Sequence, residues 1–304
     1  MPELVRGRLS ELQAAQALRL VGAAAEEDGV SPLSEHVMLH LRYGGDARAR
    51  NLLLFSGQQL AGYAHLDPTD PVEGPSGELV IHPAHRRRGL GLALAEALVA
   101  EAAGRPLRLW AHGELPAAVG LARAAGFHRA RALWQMRRSL QAPLDRPLFG
   151  PGIRLRTFAV GKDEDAWIDL NTRAFAGHPE QGGWTHEDLG QREREPWFDP
   201  DGFFLAERDG RLAGFHWTKI HGGVTAGSGH GHDPIGEVYV VGVDPGERGT
   251  RLGRALTLTG LRYLRSRGLF QVMLYVDEEN VPAIRLYESL GFTHWDTDVM
   301  FQHP

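Results

Sequence analysis

The sequence contains no cysteine, which excludes disulfides, thiolate metal sites and a cysteine nucleophile. Lysine is almost as scarce: of 33 basic residues only Lys162 and Lys219 are lysines. No run approaches the roughly 18 consecutive apolar residues that a membrane span needs. The first residues, from Met1 to Gln13, carry charge where a signal peptide has its apolar stretch. Excess positive charge is missing too, and a net charge of −5 disfavours a nucleic-acid partner, because phosphate neutralisation needs a basic surface. What remains is an ordinary composition, 42% hydrophobic and 23% charged over 304 residues, enough for two domains of about 150 residues each. The expectation is a cytoplasmic monomer with no nucleic-acid or membrane partner.

The chain repeats itself. Leu60 in Gly57-Gln58-Gln59-Leu60-Ala61-Gly62-Tyr63 matches Leu212 in Gly210-Arg211-Leu212-Ala213-Gly214-Phe215, 152 positions on. Leu79-Val80-Ile81-His82-Pro83 matches Val241-Gly242-Val243-Asp244-Pro245 at 162 positions, and Gly126-Phe127 matches Gly291-Phe292 at 165. Three matches in one order indicate duplication of a whole domain, since the period is too long for a solenoid. The extra residues of the second copy fall in the Gly-rich segment 221–233, read as a flexible excursion between strands. Proline and glycine in 141–152 mark a linker, giving domains at 1–141 and 152–304.

Each copy has the same order of elements. Ser10 and Gln13 form a capping box ahead of a helix at 12–21, 163–175 is amphipathic, and Thr185 with Asp188 starts another helix. Hairpin strands follow, then a strand entering a glycine-containing turn, a long helix (90–103; 252–267), a strand (107–111; 271–276) and a short helix ending at Gly-Phe. The fold class is α/β, with a mixed sheet flanked by helices in each copy.

The turns are Arg86-Arg87-Arg88-Gly89-Leu90-Gly91-Leu92 and Arg248-Gly249-Thr250-Arg251-Leu252-Gly253-Arg254. Small residues where a strand enters a helix leave backbone N–H groups free beside the positive end of the helix dipole, which suits a pyrophosphate. Taken singly, such a turn is equally an ordinary helix start with solvated arginines. The GxGxxG spacing of a dinucleotide site is missing. Arg251 stands where the first copy has Gly89, so a positive φ there would be strained, while its guanidinium would suit phosphates. The residues leave both readings open. His216, His221, His230 and His232 lack metal-ligand spacing, and no metal is assigned.

About thirty residues after the second turn comes Asn280-Val281-Pro282-Ala283-Ile284-Arg285-Leu286-Tyr287, leading to Gly291-Phe292. Turn, helix, strand and this motif resemble the GCN5-related N-acetyltransferase (GNAT) family, so the chain is read as two tandem GNAT domains. The resemblance implies acetyl-CoA at Val241–Val243, at Arg248, Gly249, Thr250, Arg251, Leu252, Gly253 and Arg254, and at Asn280, Val281, Pro282, Ala283, Ile284 and Arg285. It implies a backbone N–H of Val241–Val243 polarising the thioester carbonyl and Tyr287 protonating the leaving sulfur. A second acetyl-CoA is implied in the first copy, at Leu79, Val80 and Ile81 and at Arg87, Arg88, Gly89, Leu90, Gly91 and Leu92. There Ala122 stands in place of Tyr287 and Leu115 in place of Asn280, so this copy is expected to bind without turnover. Without the family, Tyr287 reads as a core tyrosine and Glu237 as a charged strand end.

The segments 32–36, 174–182, 214–219 and 236–245 are similar to the mycothiol synthase family within that superfamily. This closer resemblance implies an acceptor that is a thiol-sugar amine, cysteinyl-glucosaminyl-inositol, contacted by Glu35, Glu180, Lys219, Glu237 and Tyr275, with Glu237 taking the amine proton. Glu35 reads equally as a first-turn helix acid and Tyr275 as a strand aromatic. The alternatives are acetylation of another small amine or a peptide N-terminus, and an acyl-CoA sensor that does not turn over.

Overall fold

A computed structural model describes residues 2–44, 48–70, 73–177, 179–222 and 234–304. The chain forms two compact units: Met1–Trp134 with Asp296–Pro304, and Gln135–Trp295. The elements of the N-terminal half are β1 (Glu3–Gly7), α1 (Glu11–Asp28), α2 (Glu35–Tyr43), β2 (Arg50–Ser56), β3 (Gln59–Asp67), β4 (Ser76–Ile81), α3 (Leu90–Glu101), β5 (Leu107–Ala111), α4 (Pro116–Ala124) and β6 (His128–Ser139). The C-terminal half has β7 (Ile153–Thr157), α5 (Glu164–Ala174), α6 (Pro179–Gly182), α7 (His186–Glu193), β8 (Phe203–Arg208), β9 (Arg211–His221), β10 (Ile235–Val243), α8 (Leu252–Ser266), β11 (Gln271–Asp277), α9 (Val281–Ser289) and β12 (Thr293–His303). The expected excursion lies outside the described residues from 223 to 233, and His230 and His232 with it. No described helix is long and apolar enough to cross a membrane.

The local signals act as their chemistry requires. Ser10 Oγ accepts the Gln13 N–H while Gln13 Oε1 accepts the Ser10 N–H, closing the capping box of α1, and Thr185 with Asp188 does the same for α7. Within unit 1 the strand order is β1-β2-β3-β4-β5-β12, and within unit 2 it is β7-β8-β9-β10-β11-β6. In unit 1, α3 packs Leu94 and Leu98 against Leu52, Leu54 and Leu66, and Val299 and Phe301 of β12 belong to the same core. In unit 2 one buried cluster is aromatic, with Trp167, Phe203, Phe215 and Trp217 all closed to solvent.

The division differs from the expected bounds at 1–141 and 152–304. Each unit is closed by a strand from the other half of the sequence. Residues Val299–His303 of β12 pair antiparallel with Ala111–Leu107 of β5, while Gln135–Ser139 of β6 belongs to unit 2, beside β11. The two copies descend from one domain, so a closing strand finds an equivalent edge in either, and no local pattern distinguishes them. The linker is also tied down within unit 2. Arg265 donates to the Leu140 and Ala142 carbonyls, and Arg254 pairs with Asp145 at 2.8 Å.

β12 reaches a buried charge cluster in unit 1. His112 Nδ1–H donates to Asp298 Oδ2 at 2.9 Å, and Asp298 Oδ1 accepts the Gly113 N–H. His112 Nε2 lies 3.5 Å from Glu78 Oε1, and Glu78 Oε2 accepts the Ser34 N–H at 2.7 Å. Burial lowers an imidazole's pKa, but the Asp298 and Glu78 carboxylates outweigh it and hold His112 up at about 10. For Glu78, burial works toward a higher value, and the His112 charge with the Ser34 hydrogen bond leaves it below the ordinary carboxyl range.

Removing one partner of a buried ion pair typically costs about 3–5 kcal/mol. Asp298→Asn should destabilise unit 1 by that order although it lies at the far end of the sequence, as read from the denaturant midpoint. His112 is raised in the folded state. Its contribution is therefore complete below the unfolded pKa of about 6.5 and lost as pH rises through about 10. Wild-type thermal stability should fall across that window more steeply than that of His112→Gln; parallel curves would exclude the ionised cluster.

Candidate active site

The site in unit 2 begins with a strand that loses its neighbour. β10 pairs in parallel with β11 only at Gly236↔Val272 and Glu237↔Met273, while β9 follows β10 as far as Val243. The β9/β10 ladder shifts register between Val238 and Val240, a bulge at Tyr239, and bulges bend strands and re-aim side chains. Asp244 N–H donates to the Ala213 carbonyl at 2.9 Å. Alternation of the backbone therefore turns the N–H groups of Val241 and Val243 away from β9, toward the gap left by β11. In unit 1, β4 and β5 pair only at Ser76↔Arg108 and Gly77↔Leu109, with no register shift between β3 and β4. The His82 N–H bonds Ala61, so Leu79 and Ile81 correspond to the two open amides.

The strands lead into the turns. In unit 2 Gly249 and Arg251 have φ of 81° and 64°; in unit 1 Arg87 and Gly89 have 61° and 77°. Both turns need two left-handed residues at equivalent places, and each fills one with glycine and the other with arginine. The open question about Arg251 is thus answered for the backbone: the positive φ is required and an L-residue adopts it. In unit 1, Arg86 is held by Asp28 through two hydrogen bonds of 2.7 Å.

Helices α3 and α8 start without a side-chain cap. Their first intrahelical bonds run from Ala93 to Gly89 and from Ala255 to Arg251, which leaves the amides of Leu90, Gly91 and Leu92, and of Leu252, Gly253 and Arg254, pointing outward. A Cβ on Gly91 would meet Leu121 at 3.3 Å and Ile81 at 3.7 Å, so a side chain is unwelcome there. Open amides, left-handed turns and helix N-termini fit the pyrophosphate of acetyl-CoA. The Arg254 side chain is turned to Ser289 and Asp145, leaving its amide for that role. Asn280 caps α9 by accepting the Ala283 N–H at 3.2 Å; Ile284 is buried, whereas Val281, Pro282 and Arg285 are exposed.

Beside the gap, two expected residues, Glu237 and Lys219, meet three that the sequence did not single out for this site, His221, Trp197 and Tyr239, and Arg192 bonds the last of these. Glu237 and Lys219 are cross-strand partners on β10 and β9, and both are buried. The Lys219 ammonium sits 4.4 Å from the Trp197 ring and 5.0 Å from that of Tyr239, an aromatic lining that suits a cation. His221 Nε2 lies 2.5 Å from Glu237 Oε2. Arg192, also buried, donates from Nε to the Tyr239 hydroxyl at 2.7 Å. Aromatic spacing alone reads as core, so Trp197 and Tyr239 carried no sequence signal. Tyr275 on β11 is 39% exposed and its hydroxyl accepts from Gln135 Nε2 at 2.7 Å.

Tyr287 lies on α9, its ring 5.8 Å from Phe292. Its hydroxyl has no hydrogen-bond partner among the described residues, and burial pushes the phenol up to about 12. Glu180 belongs to the short α6. Glu35 opens α2 in unit 1 behind the Ser34 cap, the first-turn position its sequence context suggested. His216 is enclosed beneath α8, donating from Nδ1 to the Leu256 carbonyl at 2.8 Å, and burial lowers it to about 4. It therefore stays neutral and apart from His221.

Residues 19–127 and 165–292 each match the acetyltransferase (GNAT) family. The chain belongs to that family. A mycothiol acetyltransferase of Acidothermus cellulolyticus is 62% identical over 97% of this chain and 93% of its own length. That of Thermobispora bispora is 63% identical, with 94% of each chain covered. A solved tandem GNAT protein from the clavulanic acid biosynthesis pathway superposes with a TM-score of 0.73 at 24% identity, over 99% of this chain and 98% of the other. The likeness to that structure extends to the tandem GNAT fold.

Arg251 is an L-residue at a left-handed position of the turn from β10 into α8, where strain is of order 1–3 kcal/mol. Arg251→Gly should raise stability by about 1 kcal/mol after the unfolded-state entropy of glycine is deducted, measured by denaturant midpoint. A loss of stability would mean that the guanidinium contributes more than the backbone strain costs.

Proposed function

We propose that unit 2 transfers an acetyl group from acetyl-CoA to the cysteinyl amine of cysteinyl-glucosaminyl-inositol, forming mycothiol. The enzyme is an acetyltransferase with a small-molecule acceptor, as the names of its relatives indicate. The observation that carries the finer reading is a buried carboxylate, Glu237, at the last residue pair before β10 and β11 part, together with an unpartnered phenol on α9.

Bound at the turn and along β10, acetyl-CoA supplies an acetyl group activated as a thioester. The Val241 and Val243 amides are fixed donors for its carbonyl oxygen and require no reorganisation as charge develops there. Glu237 takes a proton from the incoming ammonium, freeing the nitrogen lone pair for attack. An α-amino group has a reference pKa of about 7.7–8.0, so the base need not be strong. Tyr287 remains protonated at neutral pH because burial raises it to about 12. It gives that proton to the departing sulfur as the C–S bond breaks, and the phenolate so formed takes the second proton that the nitrogen sheds on becoming an amide. Lys219, Glu237, Glu180 and Tyr275 of unit 2 are proposed to recognise the ammonium and the hydroxyls of the acceptor.

Unit 1 is proposed to hold a second acetyl-CoA without turnover. Its turn is formed, but Ala122 occupies the Tyr287 position and is buried. The equivalents of Trp217 and Lys219, 152 positions earlier, are His65 and Asp67, so the acceptor side differs in polarity and sign. His65 is buried, and burial with His40 and His36 beside it pushes its pKa down to about 3, keeping it neutral.

Tyr287→Phe should lower kcat by roughly 10²–10⁴-fold with little change in KM for acetyl-CoA; a near-wild-type kcat with chemistry rate-limiting would sink the acid role. Glu237→Gln should depress kcat most at low pH, where protonated amine dominates. An acceptor panel of cysteinyl-glucosaminyl-inositol, polyamines and peptide N-termini tests the substrate, and a higher kcat/KM for either of the latter would replace it. Equilibrium dialysis of the full chain should find two acetyl-CoA sites, and one in Gly91→Val; a single site in the wild type would remove the second-site reading.

A further inference from the structure

We propose that His221 is a positioning residue for the reaction, holding the Glu237 carboxylate aimed at the acceptor amine. The inference rests on the reading of Glu237 as the group that takes the amine proton. His221 is the last residue of β9, opposite Ile235 of β10, so Glu237 is its diagonal neighbour across the ladder, a relation within reach of long side chains on one face. The imidazole Nε2–H donates to Glu237 Oε2 at 2.5 Å. The other oxygen, Oε1, has no hydrogen-bond partner among the described residues and is the one left for an ammonium.

The two side chains differ in their access to water. Glu237 is 9% exposed and His221 is 35% exposed. A carboxylate so enclosed has little water to hydrogen-bond, and a protein donor takes that place. A hydrogen bond to the charged form favours that form, and its direction fixes the carboxylate plane. On the adjacent strands the charged neighbour is Lys219, directly across from Glu237 and lying over Trp197 and Tyr239. The β11 partner of Glu237 is the uncharged Met273. Arg192 is bonded to the Tyr239 hydroxyl. Lys219 is a charge held over two rings and does not orient a particular oxygen, whereas the imidazole N–H does.

The test compares His221→Leu, which removes the donor, with His221→Gln, whose amide can replace it, in the full chain. His221→Leu should lower kcat about 10–100-fold and move the acidic limb of the kcat/KM profile to higher pH. Its KM for acetyl-CoA should stay at the wild-type value, which also reports an intact fold. His221→Gln should restore kcat to within about threefold and return the acidic limb. Wild-type kcat in His221→Leu, or equal loss in both variants, would overturn the positioning role. Glu237→Gln measured alongside separates the two readings. If it retains wild-type kcat, the assignment of Glu237 fails and the inference with it; if it loses kcat while His221→Leu does not, only the inference fails.

Discussion

The site in unit 2 depends on one constraint: β10 and β11 run parallel for two residue pairs and then separate. A strand without a neighbour carries unsatisfied N–H groups, which in a protein interior are costly unless a partner takes them. Here the bare edge is Val241 to Val243, beside a helix N-terminus that is also uncapped. The same separation leaves Glu237 at the last paired position, where backbone pairing holds it on the β11 side and cross-strand pairing with Lys219 on the other. The two open strand amides, the uncapped helix start and the buried carboxylate thus follow one another along a single strand and turn, and the proposed roles in acetyl transfer rest on that order.

The duplication preserved this backbone and changed what lines it. Both units part their parallel strands after two pairs and both turns keep two left-handed residues, although glycine and arginine have exchanged places between them. The left-handed backbone conformation tolerates such exchange at a modest strain. Side chains have diverged further. Unit 2 encloses Lys219 among aromatic rings, whereas unit 1 buries Glu78, His112 and Asp298 as a charged cluster. A buried imidazolium flanked by two carboxylates is a structural solution, because its charges are consumed by one another. It fixes the strand that closes unit 1, and Glu78, His112 and Asp298 are taken up with one another.

Sequence alone determined the repeat, the α/β class, the capping boxes of α1 and α7, and the helices and strands around the turns. These are local: cap chemistry acts over three residues, periodicity over one element, and a glycine-rich turn over its own backbone. The same locality explains why Glu237, Lys219 and Tyr287 could be singled out as candidates, since each stands in a motif of contiguous residues. Tertiary structure alone decided three things. It placed the closing strands β6 and β12 in the opposite units, because equivalent edges offer equivalent registers. It required Arg251 to be left-handed, because the path from β10 into α8 fixes that φ. It brought His221 onto Glu237 and gathered Trp197, Tyr239 and Arg192 around Lys219, because cross-strand and interelement distances are set by sheet register, which no stretch of sequence states by itself.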